Sequence, residues 1–158
     1  MSAVEASALL ELLDAGGLSL AAAGRALGLT EGGALALLVD TGRVVRRDGP
    51  ETLALVRGWG RVRVILRSGD CVAEIMTDLG NSRISGRYWN DEDERAHLHL
   101  GVSDVQTAFV ISKVGHASGR AVRIVAFADA AGEVAFKVMI PKERVDLVPA
   151  FNALRGAP

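Results

Sequence analysis

Val110-Ile-Ser-Lys-Val-Gly-His116 leads into Gly119-Arg-Ala-Val-Arg-Ile-Val-Ala-Phe127 across a short stretch of small residues. Asp129-Ala-Ala-Gly132 follows, and then Glu133-Val-Ala-Phe-Lys-Val-Met-Ile140. The apolar runs are rich in β-branched and aromatic residues and are bounded by small or turn-forming residues, which is typical of strands joined by tight turns. The connections are too short for the helical crossovers that parallel strands need. This part of the chain is therefore predicted to form antiparallel strands.

The strand pattern extends upstream to Trp59-Gly60, where the hydrophobic period changes. From Arg61 to Leu66, apolar residues largely alternate with arginines, as expected of a half-buried strand. Further strands are predicted over 70–76, 84–88, 97–100, 108–114, 121–128 and 134–140. Together these segments predict one large curved antiparallel sheet of about seven strands.

The chain before this sheet is predicted to be helical. Leucine-rich segments end at glycines, and Ser19 and Thr30 are suitable caps for the second and third helices. After the sheet, Pro149 suits the first turn of a closing helix near 146–155. The expectation is a single α+β domain over 1–158, with a helical part at 1–57, the antiparallel sheet at 58–140 and a closing helix and tail at 141–158.

Composition predicts a soluble cytoplasmic protein. The formal net charge is −1 and charged residues make up 23% of the chain, so no general attraction to nucleic acid or to anionic membranes is expected. The N-terminus lacks the basic region of a secretory signal, and no apolar run reaches the ~20 residues that a membrane span needs. The single Cys71 excludes an internal disulfide and fits a reducing compartment.

Residues 19–47 also have the order of a winged helix-turn-helix, with a helix, a turn, a second helix and a basic strand. A DNA-reading helix presents polar and basic side chains to bases and phosphates. The segment Glu31-Gly-Gly-Ala-Leu-Ala-Leu-Leu-Val39 contains no cation, so it is predicted to be buried. A winged-helix DNA-binding regulator is the weaker alternative.

The order of strands, loop and closing helix, together with Ala135-Phe-Lys137 and Trp59-Gly60, resembles one family. That family is the cytosolic haem-utilisation carriers of the ChuX/HutX type, single-domain relatives of the tandem HemS-like haem proteins. The resemblance implies a helix-flanked sheet, a homodimer, haem as cofactor and partner, and a role in binding or carrying haem for iron utilisation. Since a scaffold can outlast its ligand, the same fold could instead hold another small ligand without haem.

The resemblance also suggests which residues hold haem. In the family, a histidine lies at a fixed distance before the strand that corresponds to Ala108-Phe-Val-Ile-Ser-Lys113, and counting back without a gap gives His99 as the axial ligand. The family's Gly-Tyr-Phe-Asn segment is similar to Gly86-Arg-Tyr-Trp-Asn90, which makes Tyr88 the second candidate. His97 is two residues from the family register, and Arg67 stands where several members have histidine. An arginine can pair with a haem propionate.

Strand geometry gives the two neighbouring histidines a second interpretation. Because side chains two apart share a face of a strand, about 6–7 Å from each other, His97 and His99 could supply two ligands to a metal ion. A zinc site needs three or four protein ligands, and the carboxylates at 91–94 would have to complete it. The alternative is one inward histidine and one at the strand end, with no metal. The third histidine, His116, is not expected to be a ligand.

The motifs of common enzyme classes are absent from the sequence. It contains no Gly-x-Ser-x-Gly elbow, no Gly-x-x-x-x-Gly-Lys-Ser/Thr phosphate loop and no Cys-x-x-Cys pair. No set of residues requires turnover, and the chain is expected to be a binding protein and not an enzyme.

Overall fold

The computed structural model describes residues 3–16, 18–94, 96–114 and 119–156. Its helices are α1 (Ala3–Gly16), α2 (Leu20–Ala26), α3 (Glu31–Val39), α4 (Gly49–Arg57) and α5 (Val148–Arg155). Its strands are β1 (Val44–Asp48), β2 (Arg61–Ser68), β3 (Cys71–Asp78), β4 (Arg83–Ser85), β5 (Tyr88–Asp93), β6 (Ala96–Gly101), β7 (Thr107–Val114), β8 (Ala121–Ala128) and β9 (Val134–Met139).

The strands form two antiparallel sheets. The large sheet has six strands in the order β1-β7-β8-β9-β2-β3, and the small sheet has three in the order β4-β5-β6. The predicted α+β fold, with N-terminal helices, a large antiparallel sheet and a C-terminal helix, is confirmed. The prediction of a single sheet of about seven strands is wrong, because residues 83–101 pair among themselves and form a separate small sheet. The joining of β1, from the helical part, to the edge of the large sheet beside β7 was not predicted.

One predicted strand is wrong. The segment 84–88 is a reversal of the chain, because β4 ends at Ser85 and β5 begins at Tyr88. Gly86 lies between them with a φ of 59°, a left-handed backbone that glycine adopts without steric cost. By contrast, β8 spans 121–128 as predicted.

The N-terminal helices cover one face of the large sheet. Two of them begin at side-chain caps, since Ser19 Oγ accepts from the Ala22 amide and Thr30 Oγ1 accepts from the Gly33 amide. Their buried apolar side chains, such as Leu35, pack with Phe109 of the sheet. Burial of this apolar surface holds the helical layer in place.

The opposite face of the large sheet packs against α4, α5 and the small sheet. Phe127 and Phe136 stack there with ring centroids 4.8 Å apart. The same core includes Phe151 of α5 and Leu98 of the small sheet. The large sheet is therefore a central layer, and it separates two surfaces that could bind ligands.

Within the described ranges, no single helix is long and apolar enough to cross a membrane. Among the described residues, α2 and α3 taken together reach that length and composition, but they are bent by 97° relative to each other.

Candidate functional site

The small sheet has one buried face and one exposed face. Along β6, Leu98 and Leu100 are buried in the core, whereas His97 and His99 are exposed. Strand alternation causes this division, because successive side chains point to opposite faces. The exposed face, with Tyr88, Asn90, His97 and His99, is called the outer face below.

His99 is held by a hydrogen bond across the hairpin. Asn90 is its backbone partner in β5, and the distance from His99 Nδ1 to Asn90 Oδ1 is 2.5 Å. Since the amide oxygen is an acceptor, Nδ1 carries the proton and Nε2 keeps its lone pair. Histidines that bind metals usually have their other ring nitrogen fixed in this way.

Tyr88 lies beside His99 on the outer face. The two rings meet edge to face with centroids 6.3 Å apart, and Tyr88 is 38% exposed. The guanidinium carbon of Arg87 lies 5.3 Å from the centre of the tyrosine ring. Two potential iron ligands and a cation are thus close together.

The metal-ion interpretation of the histidine pair finds no support in the described residues. His97 and His99 share the exposed face, but no group of three or more His, Cys, Asp or Glu side chains in the part of the chain that the structure describes could hold a metal ion. His116 lies outside the described residues.

Arg67 lies elsewhere, in a cleft of about 830 Å³ between the N-terminal helices and the large sheet. Leu20 and Leu38 line its helical side, and Ile65, Ile111 and Ile124 line its floor. The volume is within the range of small-molecule sites. Arg67 is therefore not brought together with His97, His99 and Tyr88, which belong to the small sheet.

The cleft also contains several charged side chains. Lys137 Nζ donates to Glu31 Oε1 in a largely buried ion pair, and Arg43 pairs with Asp14 at 3.4 Å. Partial burial, and secondly the charge of Lys137, lower the pKa of Lys113 from its ordinary value, while Glu31 acts in the opposite direction. Among the described charged side chains that line the cleft, four are cationic (Arg43, Arg67, Lys113 and Lys137) and three are carboxylates (Asp14, Glu31 and Glu74).

Neither surface alone meets every need of haem. The outer face offers an imidazole, a phenol and a guanidinium, but in a single chain these are exposed. The cleft is apolar and cationic, but its lining within the described ranges includes no His, Tyr, Cys or Met that could bind iron. The outer face therefore has possible iron ligands without a cover, whereas the cleft has a cover but no iron ligand among its described lining residues.

Sequence reasoning did not single out two residues of these surfaces. In the sequence, Asn90 was noted only as the last residue of the segment that is similar to the family's Gly-Tyr-Phe-Asn. Pairing residues 88–93 with residues 96–101 would have placed Asn90 opposite His99. Lys113 lies on the same strand face as Phe109 and Ile111, and this alternation could have placed it on the side of the sheet that borders the cleft.

Several solved structures have the same fold. A protein from Agrobacterium tumefaciens is 22% identical, with a TM-score of 0.77 over 99% of this chain and 96% of that chain. The haem-binding protein ChuX is 15% identical, with a TM-score of 0.75 over 94% and 96%. The haem-degrading enzyme ChuS of Escherichia coli O157:H7 is 19% identical, with a TM-score of 0.81 over 95% of this chain but only 46% of its own. These similarities establish the fold.

The sequence itself supports a more specific assignment than the fold. A search of curated proteins finds no match. Residues 43–154, which include β1, both sheets and nearly all of α5, match the profile described as haem utilisation ChuX/HutX. Since this match spans well over half of the chain, the protein belongs to the ChuX/HutX haem-utilisation family.

Proposed function

We propose that the protein binds haem and carries it in the cytoplasm, without turning it over. The observation that carries this proposal is the prepared imidazole of His99, whose Nδ1 is held by Asn90 while Nε2 keeps a lone pair for iron. Family membership supports haem as the ligand. The carrier role, as opposed to an enzymatic one, rests on the absence from the sequence of any residue set that requires turnover.

The outer face would hold haem through complementary contacts. His99 is the first choice of axial ligand, and Tyr88, at its side, is the second. The guanidinium of Arg87 lies beside Tyr88, so it could pair with a propionate of haem bound there. His97 lies on the same face and could make a polar contact with the haem. Arg67 has no part in this site, because it lines the cleft.

Haem bound on the outer face of a single chain would leave much of its macrocycle in water. We therefore propose that the protein is a homodimer in which the second chain covers the haem. The neighbouring edge strand β4 supports this part of the proposal, since its Ile84 is 57% exposed. The homodimer is tested by measuring molar mass with light scattering, with and without haem. A monomer under both conditions would contradict it.

The haem site is tested by titrating haem into the purified protein and recording the Soret band. We expect saturation near one haem per chain, and His99→Ala should abolish or shift the band. His116→Ala is the matched control, because it removes an imidazole that is not expected to be a ligand. Retention of the wild-type spectrum and affinity by His99→Ala would refute the assignment, and loss of the band only in Tyr88→Phe would transfer the role to the phenol.

A further inference from the structure

Arg57 connects helix α4 to the segment that leads into the small sheet. It lies in the last turn of α4, where its Nε donates to the carbonyl of Leu79 at 3.4 Å and its Nη2 donates to the carbonyl of Ser82. Both carbonyls precede β4, which begins at Arg83. A guanidinium can hold two carbonyls at once because its donors are fixed in one plane. The entrance to the small sheet is therefore attached to α4 by one side chain.

The same guanidinium contacts the second strand of the small sheet. Its central carbon lies 4.8 Å from the centre of the Trp89 ring, within the range of a cation–π contact. Trp89 is half-buried and packs against the core on this side of the large sheet. Because side chains alternate along a strand, Tyr88 and Asn90 point to the outer face and Trp89 points away from it. Arg57 therefore contacts β5 from the side opposite the candidate ligands.

The placement of this part of β5 determines the hydrogen bond that holds His99. Asn90 follows Trp89 directly and is the acceptor for His99 Nδ1. A small movement of β5 would lengthen or misalign this bond, and a hydrogen bond weakens steeply when its angle is lost. Tyr88, on the other side of Trp89 in the chain, would move with it. The Trp89 ring is thus the point through which Arg57 reaches both Asn90 and Tyr88.

The far end of β5 has an attachment of its own. The amide of Asp78, at the end of β3, donates at 3.3 Å to Oδ2 of Asp93, the last residue of β5. Loss of the Arg57 side chain would leave this bond in place, together with the pairing of β5 with β6. The expected effect is therefore a local change at the Tyr88 end of the strand and not loss of the small sheet.

We propose that Arg57 is a positioning residue for the outer face. It fixes the Tyr88 end of β5 through the Trp89 ring. In this way it sets the hydrogen bond between Asn90 and His99. This role deepens the proposed haem function and rests on it for any effect on haem. Its effect on His99 is measurable in the haem-free protein, so the two proposals can fail separately.

The first measurement records the ring-nitrogen NMR shifts of His99 in the haem-free protein at about pH 8, where an ordinary imidazole is neutral. The wild type should show a proton fixed on Nδ1. Arg57→Gln should move both shifts toward those of an imidazole that exchanges between its two tautomers, because the acceptor is no longer held in place. Arg57→Lys keeps a cation near the Trp89 ring and should return the shifts part of the way.

The second measurement is a Soret titration of the same variants. Arg57→Gln should weaken haem binding by about tenfold, the lower end of the effect expected when a ligand loses its support, and Arg57→Lys should recover part of the affinity. Trp89→Leu should have a similar effect, and the double variant should lose no more than either single one, because the two residues act as a unit. Arg46→Gln is the matched control, since Arg46 is exposed and lies on β1, at the edge of the large sheet opposite β3.

Urea unfolding separates positioning from general stabilisation. A lower urea midpoint of Arg57→Gln with wild-type His99 shifts and haem affinity would overturn the proposal, and so would additive losses in the double variant. If Arg57→Gln does not fold, Trp89→Leu gives the same test, and wild-type His99 shifts in that variant would overturn the proposal. Absence of a Soret band in the wild type would refute the haem site alone, and the His99 shifts would still decide the role of Arg57.

Discussion

At the scale of single residues, the outer face results from the alternation of β6. Leu98 and Leu100 enter the core, and this fixes His97 and His99 on the other side of the strand. A shift of the register by one residue would bury both imidazoles and expose the leucines. The hydrophobic effect that fixes the small sheet therefore also fixes the candidate ligand.

Substitution of Asn90 tests whether this residue fixes the tautomer and the orientation of the His99 imidazole. Asn90→Ala removes the acceptor from His99 Nδ1, so the imidazole loses its fixed tautomer and orientation. We expect haem affinity to fall by about 10- to 100-fold, the usual effect of losing such a partner. Asn90→Asp keeps an acceptor and should bind haem at least as tightly as the wild type. The measurement is a Soret titration of each variant.

Asn152→Ala, in the remote helix α5, serves as the control for Asn90→Ala and should leave the titration unchanged. Equal affinities of Asn90→Ala and the wild type would show that Asn90 does not position the ligand, whether or not His99 binds iron.

The sequence indicated that His97 and His99 share a strand face, because a spacing of two is sufficient for that conclusion. It could not indicate Asn90 as the partner, because that needs the register of the hairpin. The register depends on where the chain turns near Glu94, and no Asn-Gly or Gly-Gly pair marks that turn.

At the scale of elements, the segment after β9 is held to the sheets by arginines that donate to backbone carbonyls. Arg144 donates to the carbonyls of Trp59 and Arg61, and Arg155 donates to those of Gly42, Arg43 and Val110. A guanidinium suits this role because it offers several donors in a fixed plane. These bonds attach α5 at both ends.

Asp146 orients one of these arginines and makes the attachment sensitive to acid. Arg144 donates to Asp146 through Nε at 2.9 Å and Nη2 at 2.8 Å, and chiefly this hydrogen bonding lowers the pKa of Asp146 below 3.8. Because the folded-state pKa is the lower one, the stabilisation is present above pH 3.8 and is lost as the pH falls through the folded value. We expect a small effect, since water screens this exposed pair.

The measurement compares urea midpoints of the wild type and Asp146→Asn at pH 7 and pH 3. The wild type should be more stable at pH 7, and the difference should shrink at pH 3. Glu143→Gln, at a neighbouring exposed carboxyl, is the control for a general charge effect. A difference between wild type and Asp146→Asn that grows in acid would contradict the expectation.

Elements with one clear period were predictable from the sequence, and the small sheet was not. β8 is apolar between Arg120 and Asp129 except for Arg123, and its bounds were predicted correctly. Residues 83–93 mix arginines, aromatics and carboxylates, so no period separates β4 from β5. The reversal between β4 and β5 depends on the positive φ of Gly86. A glycine in the sequence is compatible with several turn types, so it does not by itself predict this reversal.

At the scale of the whole molecule, the large sheet keeps two chemically different surfaces apart. One core, which includes Phe109, joins the sheet to the N-terminal helices and borders the cleft, and the other, which includes Phe127, joins it to the small sheet. The sequence placed Arg67 with His99 in one site because it could not show on which side of the sheet the small sheet would pack. Such information comes from long-range packing and not from a local period.

Gly32 is a position where the helical layer approaches the sheet closely. Its amide donates to the carbonyl of Gly132, in the turn between β8 and β9, at 3.0 Å, and a Cβ at Gly32 would lie 2.4 Å from that oxygen. Gly32→Ala must therefore push α3 away from the sheet, at a cost of about 1–3 kcal/mol in the free energy of unfolding. Because α3 carries Glu31, the pair with Lys137 at the wall of the cleft should be disturbed as well.

Urea unfolding and the haem titration test this connection between packing and binding. Gly32→Ala should unfold at lower urea, whereas its Soret titration should match the wild type, since the small sheet packs on the opposite face. Gly33→Ala is the control, because its added Cβ would lie 3.1 Å from the Thr30 hydroxyl that caps α3 and would not touch the sheet. If the two variants unfold alike, the contact with Gly132 does not set the spacing of the layers; if Gly32→Ala also weakens haem binding, the two faces of the sheet are not independent.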